Sequence, residues 1–271
     1  MDNKNREQKS YAWDSEDYAK HSSVQYQWAQ ELINKLHLKG TESVLDIGCG
    51  DGKVTALISS HLPEGSITGI DSSENMISLA QKNFPSLNYP NLSFIHMDAA
   101  KLNFKNQFDI AFSNATLHWV KDHVVVLKGV KESLNKSGSI LFQMGGKGNA
   151  QDIVNTVKDI IEKDKWKIYF DDFSFPYTFC SPEEYGRWLK GVGLNPKRIE
   201  LIPKDMTQKG KDGLAGWIRT TWLPYAERIP ENNCDQFIDD IINLYLERFP
   251  IDDKGLVHIK MIRLEVEAIN P

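Results

Sequence analysis

One stretch restricts this chain more than any other: Val44-Leu45-Asp46-Ile47-Gly48-Cys49-Gly50-Asp51-Gly52, followed by Lys53-Val54-Thr55. Ser43 to Ile47 reads as a short buried strand and the middle as a glycine turn. Behind it Val54, Leu57, Ile58 and Leu62 fall near the spacing of a helix face. Strand, glycine turn and helix together present backbone N–H groups and a helix N-terminus to a ligand. Glycines at 48, 50 and 52 permit positive φ and a close approach to the backbone. The dinucleotide pattern G-x-G-x-x-G fails, because its third place is Lys53, and no phosphate-cradling Gly-Lys-Ser/Thr is present. An acid just before the first glycine opposes a pyrophosphate and suits a cation.

Short strands and helices alternate behind this turn. Ser66 to Ile70 is the second strand, closed by Asp71. A carboxylate there, about 20 residues after the glycines, fits the two hydroxyls of a ribose; a plain turn or N-cap acid is the simpler alternative. Ser72 or Ser73 then caps a helix with the apolar face Met76, Ile77, Ala80 and Phe84. Asn91 to Met97 is the third strand, with Asp98-Ala99 at its end. Phe108 to Ser113 is a nearly continuous apolar fourth strand, as a central parallel strand should be. It runs into Asn114-Ala115-Thr116-Leu117-His118-Trp119-Val120. By topology that loop faces the ligand, so Asn114 is expected to set its backbone against it, and His118 and Trp119 are acceptor-side candidates. A packed aromatic corner is the plain reading of the same pair. A helix from about Lys121 to Leu134, the turn Asn135-Lys136-Ser137-Gly138 and a fifth strand, Ser139 to Met144, complete a doubly wound parallel sheet.

The flanks depart from this alternation. Val24, Trp28, Leu32 and Leu36 recur every four residues, which predicts an N-terminal amphipathic helix. Tyr18, His21, Ser22 and Gln25 share another face of it. Ser181-Pro182-Glu183-Glu184 is a helix start. Arg198 to Ile202 reads as a strand, and helices carry Trp217, Trp222 and Tyr225, then Phe237 to Phe249. Leu256 to Ala268 suits a closing antiparallel strand. The expected layout is one domain over 1–271. It comprises a helical lid at 11–38, a core at 41–148, 194–204 and 255–269, and helical cap insertions at 149–193 and 205–254. The cap aromatics are either ordinary core or an acceptor wall.

The 271-residue chain, 41% hydrophobic and 25% charged, is long enough to bury a real core. A net charge of −5 argues against a broad nucleic-acid footprint. No apolar run is long enough for a membrane span, and the polar N-terminus lacks a secretory signal. Three isolated cysteines, Cys49, Cys180 and Cys234, suggest neither a disulfide framework nor a metal site. A cytoplasmic protein, monomeric or weakly dimeric, without nucleic-acid or membrane partners, is expected.

The Asp46-to-Gly52 turn resembles the first motif of the class I S-adenosylmethionine-dependent methyltransferases, in which the acid lies near the amino acid end of the cofactor. The resemblance runs from about Trp13 to Ala268. It implies a Rossmann-like, mostly parallel seven-stranded sheet, S-adenosyl-L-methionine as cofactor, S-adenosyl-L-homocysteine as product, and no metal. The cofactor residues it implies are Asp46, Gly48, Cys49, Gly50, Asp71, Ser72, Met76, Asp98, Ala99, Asn114 and Ala115, with Asp98-Ala99 as an adenine clamp. Tyr18, Ser22 and Gln25, the His118-Trp119-Val120 run and the late helical insertion are similar to trans-aconitate and juvenile-hormone-acid carboxyl O-methyltransferases. That likeness implies that Gln25 and Trp119 line the acceptor pocket; with the candidates read from the residues, the expected acceptor set is Tyr18, Ser22, Gln25, His118, Trp119, Trp222 and Tyr225, with His118, Trp119 and Gln25 at the chemistry. The departures are His118, where the compared trans-aconitate enzymes carry glutamine, and the tryptophan-rich 217–222 segment.

The expected reaction is in-line transfer of a methyl group to a small carboxylic acid. A carboxylate is already ionised at neutral pH and needs no strong base. Transfer to a carbon or nitrogen acceptor, with His118 as base, is the alternative, as is a cofactor-binding protein without chemistry. A nucleic-acid enzyme is disfavoured, since neither an Asn/Asp-Pro-Pro-aromatic run nor a Pro-Cys nucleophile follows the fourth strand.

Overall fold

The computed structural model describes residues 23–271, with side chains from Trp28 onward. Tyr18, His21 and Ser22 lie outside the described residues. Gln25 falls within a helix, but its side chain is not described.

Five parallel strands carry the alternating half of the chain: β1 Ser43–Ile47, β2 Ser66–Asp71, β3 Leu92–His96, β4 Phe108–Asn114 and β5 Leu134–Gly145. Two long strands, β6 Asn195–Lys209 and β7 Leu256–Ile269, complete a seven-stranded sheet in the order β3-β2-β1-β4-β5-β7-β6. β7 lies antiparallel to both β5 and β6. The doubly wound, mostly parallel sheet expected from the sequence is thus present, and its order reverses between β1 and β4, where such sheets place ligands.

The period-2 pattern of the strands sorts their side chains onto two covered faces. Val44, Ile110, Phe112 and Leu141 pack with Leu32 and Ile33 of α1 (Ser23–Asn34), Ile58 of α2 (Lys53–Ser59) and Ile77 of α3 (Glu74–Asn83). Leu45, Ile47, Ala111, Ile140 and Phe142 pack on the opposite face with α4 (His123–Ser133). The remaining helices are α5 Gln151–Ile161, α6 Asp164–Lys167, α7 Pro182–Val192, α8 Gly210–Thr221, α9 Leu223–Ala226 and α10 Glu231–Arg248. All but α7 contribute to a third cluster, built around Trp166, Trp217, Phe237 and Tyr245. The Trp166 indole N–H donates to Asp240 at 2.9 Å and ties α6 to α10. The Tyr245 hydroxyl donates to the His258 carbonyl at 2.7 Å and ties α10 to β7.

Three expectations change. Helix α7 has the expected capping box of Ser181 and Glu184 with Pro182 in the first turn. It was expected within the cap stretch 149–193, yet Tyr185 and Leu189 pack beneath the sheet with Phe142 and Leu264. Its apolar stripe matches the sheet face left open beyond α4. The strand expected over Arg198 to Ile202 continues to Lys209, so 205–209 is sheet and not cap. The expected turn at 135–138 is an irregularity within β5. Leu134 pairs with Phe108 and Ser139 with Ile110, and Ser137 between them takes φ 65°.

Candidate functional site

The glycine turn is fastened to the end of β2 from both sides. The Gly48 and Cys49 N–H groups donate to the Ile70 carbonyl at 2.8 and 2.9 Å. The Gly50 N–H donates to Asp71 Oδ2 at 3.0 Å, and the Ser73 N–H to Asp71 Oδ1 at 2.9 Å. One carboxylate therefore bridges the turn and the N-cap of α3, where Ser73 accepts from the Met76 N–H. Each Asp71 oxygen retains acceptor capacity for a further hydroxyl.

The glycines differ in what surrounds them. At Gly48, φ 79°, an added Cβ would lie 2.1 Å from Thr116 Cγ2. At Gly50, φ 54°, it would meet nothing within 4 Å. Gly48 is required by the protein's own packing; Gly50 leaves backbone open beside Asp71, a cradle that a Cβ would fill.

Asp46 is buried, and its Oδ2 accepts from the Thr55 hydroxyl at 2.7 Å. Burial pushes its carboxyl up to about 7, against the lowering effect of that hydrogen bond and with a contribution from the Asp71 charge. Burial also raises Asp71, opposed by the Ser73 and Gly50 N–H groups. Two neighbouring acids, the buried one raised further by the charge of the other, suit a cation and repel a phosphate. Burial raises the Cys49 thiol as well, with Asp46 and Asp71 adding to the effect, so Cys49 stays a neutral, unreactive thiol. At the end of β3, Asp98 Oδ1 accepts from the Ala100 N–H at 2.9 Å and caps the short turn Ala99–Lys101. Ser72 offers its carbonyl to His96 Nε2 at 2.9 Å, and Met76 is buried behind the turn.

The loop after β4 joins this cradle to a second space. Asn114 ends the strand opposite Gln143. Ala115 adopts φ 57°, an uncommon conformation for a residue with a side chain. Its N–H donates to the Gln143 carbonyl at 2.8 Å. The Thr116 hydroxyl donates to the Gly48 carbonyl at 3.0 Å and so fixes the loop to the glycine turn. Ala115 also lines a cavity of about 50 Å³, together with His118, Trp119, Trp28, Tyr177, Phe179, Trp217, Trp222 and Arg263. That volume has room for several water-sized groups.

His118 is buried at the cavity wall, and its Nδ1 accepts from the Gly145 N–H at 3.4 Å. Desolvation by burial drives its imidazole well below the ordinary histidine range, with the positive charge of Arg263 adding to the effect and His123 contributing. The ring is neutral with its proton on Nε2, because Nδ1 receives the backbone donor. Trp119 meets the Tyr177 ring edge-on at 4.8 Å, and Tyr177 stacks on Phe179 at 5.5 Å. The Tyr177 hydroxyl donates to the Thr221 carbonyl at 2.7 Å and joins this aromatic wall to α8.

The candidate residues thus divide. Asp46, Gly48, Cys49, Gly50, Asp71, Ser72, Met76, Asp98 and Ala99 gather at or behind the carboxyl ends of β1 to β3. Ala115, His118, Trp119 and Trp222 line the cavity, with Asn114 at the junction. Tyr225 does not line it: the ring is buried in the cap core, 4.5 Å from Phe173. Sequence reasoning missed Arg263, Tyr177, Phe179 and Asn149 as cavity residues.

Known proteins resemble this chain in sequence and in fold. A family described as a methyltransferase domain matches residues 38–190. The chain is 32% identical to a trans-aconitate 2-methyltransferase of Methylobacterium nodulans, over 94% of this chain and 97% of that protein. It is also 32% identical to a malonyl-[acyl-carrier protein] O-methyltransferase of Priestia megaterium, over 94% of each. Among solved structures, the YcgJ protein of Bacillus subtilis superimposes with a TM-score of 0.63 at 17% identity, covering 90% of this chain and 98% of that one. A Haemonchus contortus phosphoethanolamine N-methyltransferase 2 in complex with S-adenosyl-L-methionine gives 0.60 at 17% identity, covering 95% of this chain and 56% of that one.

Proposed function

From the premise that this chain belongs to the S-adenosylmethionine-dependent methyltransferases, we propose that it methylates a carboxylate oxygen of a small acid. When bound, the cofactor supplies an electrophilic methyl group on a sulfonium. Asp71 would receive its ribose hydroxyls, Asp46 would lie near its ammonium end, Asp98 and Ala99 near its adenine, and Ala115 beside the cavity mouth.

The state of His118 carries the acceptor assignment. A phenol or carbon acid must lose a proton to react and calls for a base in the cavity. His118 is neutral, its Nδ1 lone pair is taken by Gly145, and its affinity for protons is low. It serves as an Nε2–H donor that orients an acceptor already ionised, and a carboxylate meets that condition at neutral pH. The Trp119 and Tyr177 walls keep water out, and charge neutralisation between sulfonium and carboxylate is favoured in such a medium. Alignment of the two reacting groups supplies the rest of the acceleration. The likeness to proteins named for trans-aconitate and for a malonyl group, both carboxylic acids, supports the same reading.

The direct test is transfer of radiolabelled methyl from S-adenosylmethionine to a panel of small carboxylic acids. Counts released as volatile methanol by mild base identify an ester; base-stable counts identify N- or C-methylation and overturn the proposal. His118→Leu should lower kcat/KM by roughly 10–100-fold, the loss of one hydrogen bond to a charged group. His118→Gln, which keeps a donor, should recover most of it. With S-adenosylmethionine held saturating at every pH, the wild-type kcat should show no rise through pH 6–7, where a histidine base would titrate.

Cofactor affinity should be the pH-dependent quantity. The Asp46 carboxyl, at about 7, lies above an exposed aspartate, so folding stability declines as pH rises from about 4 to 7. The ammonium group, which S-adenosylhomocysteine shares with the cofactor, prefers the ionised form. Below pH 7 binding must expel the Asp46 proton, and affinity for S-adenosylhomocysteine should fall about tenfold per pH unit. Calorimetry from pH 5 to 8 reads this slope, and Asp46→Asn should bind more weakly and flatten it.

A further inference from the structure

His118 stands within a ring of aromatic surface. The centre of its imidazole lies 5.8 Å from that of the Trp119 ring, 6.0 Å from Tyr177 and 6.1 Å from Phe179. Tyr177 and Phe179 are parallel to within 2°, and Trp119 meets Tyr177 at 67°. An acceptor whose carboxylate reaches His118 therefore carries its next few atoms along ring faces and edges. The rest of the lining is little more polar. Trp217, Trp222, Met206 and Met261 add rings and thioethers. The indole nitrogens of Trp217 and Trp222 are covered by protein, so these two rings offer the cavity carbon surface. The Tyr177 hydroxyl is engaged by the Thr221 carbonyl at 2.7 Å, and the Asn149 side-chain oxygen by the Ile262 N–H at 3.1 Å. The formal charge on the described lining is that of Arg263, whose guanidinium lies 5.7 Å from the centre of the Trp28 ring and which has a partner within the protein.

Such a lining separates acids by what lies beyond the reacting carboxylate. A second carboxylate would give up its water with no unengaged cation among the described lining residues to replace it, which is costly. An apolar group gains instead, by roughly fourfold in affinity for each buried methylene-sized group. Aromatic walls favour a flat partner, which meets them by offset stacking or edge to face. A cavity of about 50 Å³, with room for several water-sized groups, suits a single ring or a short conjugated chain.

Building on the carboxylate-acceptor reading above, we infer that the acceptor is a monocarboxylic acid with a flat, apolar body, an aryl or conjugated acid, and that Trp119, Tyr177 and Phe179 determine this specificity around the carboxylate that His118 orients. Acids with further carboxylates, trans-aconitate among them, are disfavoured by the cost of stripping water from each extra charge.

Calorimetry on protein saturated with S-adenosylhomocysteine, at a pH where every acid is fully ionised, tests this with two matched pairs. Crotonate and fumarate share a skeleton and differ by a methyl group against a second carboxylate; crotonate should bind at least about tenfold more tightly. Benzoate and cyclohexanecarboxylate have equal carbon counts, and the flat benzoate should bind about fivefold more tightly, with a negative heat-capacity change. Phe179→Leu, which removes a ring that makes no hydrogen bond, should weaken benzoate about tenfold and shrink its advantage over cyclohexanecarboxylate. Heat of S-adenosylhomocysteine binding reports that the variant is folded, and the wild-type comparisons need no variant. Equal affinity within either pair, absence of binding included, overturns the inference, as does a base-labile methyl ester formed from fumarate in preference to crotonate. Preference for crotonate and benzoate without any base-labile methyl product would instead overturn the carboxylate-acceptor reading and leave the pocket's selection of flat, apolar ligands standing.

Discussion

Asp71→Ala should reduce affinity for S-adenosylmethionine by roughly 100–1,000-fold while the protein remains folded. The carboxylate is the shared acceptor for the Gly50 and Ser73 N–H groups, and the ribose hydroxyls would draw on its remaining lone pairs. Each hydrogen bond to a charged group contributes about 1.5–3 kcal/mol, so loss of two toward the ligand, taken at the lower end of that scale, sums to about 3–4 kcal/mol and accounts for that range. The folded state loses less, since Asp71 is held above its ordinary proton affinity by burial, a cost that the alanine no longer carries. Asp71→Asn separates the roles: it keeps one acceptor oxygen and should recover about half of the lost binding free energy. Equilibrium dialysis with labelled cofactor measures both variants, and near-UV circular dichroism checks the fold.

Gly48→Ala should do the reverse, with the fold failing before the ligand enters. A methyl group there lies 2.1 Å from Thr116 Cγ2 and 2.2 Å from Thr116 Oγ1, on a backbone at φ 79°. Left-handed strain of about 1–2 kcal/mol adds to overpacking of about 1–3 kcal/mol. A destabilisation of about 2–5 kcal/mol is expected in urea titrations. Thr116→Gly in the Gly48→Ala background removes the colliding atoms and should return the overpacking part, leaving the strain; the double-mutant cycle measures the difference. Gly50→Ala is the contrast. Its Cβ meets no protein atom within 4 Å, so it should fold with a modest loss of stability and bind cofactor poorly, because the methyl occupies the approach to the backbone. If the two alanine variants lose stability equally, the distinction between packing glycine and ligand glycine is wrong.

The parallel half of the sheet was legible because each strand is short, apolar and bounded by turn residues, and because the glycine turn can serve few purposes. Asp71 was legible from its distance behind those glycines. β6 was not, beyond Ile202. Pro203 and the charged Lys204 and Asp205 read as the end of a strand, yet β6 is the outer strand, and an edge tolerates proline and charge. Helix α7 was read correctly as a helix and placed in the wrong layer, since an apolar stripe says that a face is covered but not by what. Arg263 escaped for a related reason. Partial alternation through Val257, Ile259, Met261, Leu264 and Val266 marks β7 as a strand but assigns no role to Arg263 between them. In the structure Arg263, Leu264, Glu265 and Val266 are all buried, because cap and helices cover both sides of the strand there. The available signal was the break in alternation after Met261, where a charged residue enters an otherwise apolar stretch. Trp222 and Tyr225 show the same limit: both are buried, but only one faces the cavity, and a single turn of helix separates the two.

Most side chains around the cavity, Trp217, Trp222, Tyr177 and Met206 among them, belong to the cap's own hydrophobic cluster, whereas Leu45, Ile47 and Ile70, which carry the glycine turn, belong to another. On the proposed assignment, methyl donor and recipient would be recognised by parts of the protein that belong to separate hydrophobic clusters. Divergence can remodel the recipient's chamber without loosening the donor's seat, so relatives built on this frame are free to keep one reagent while exchanging the molecules they modify.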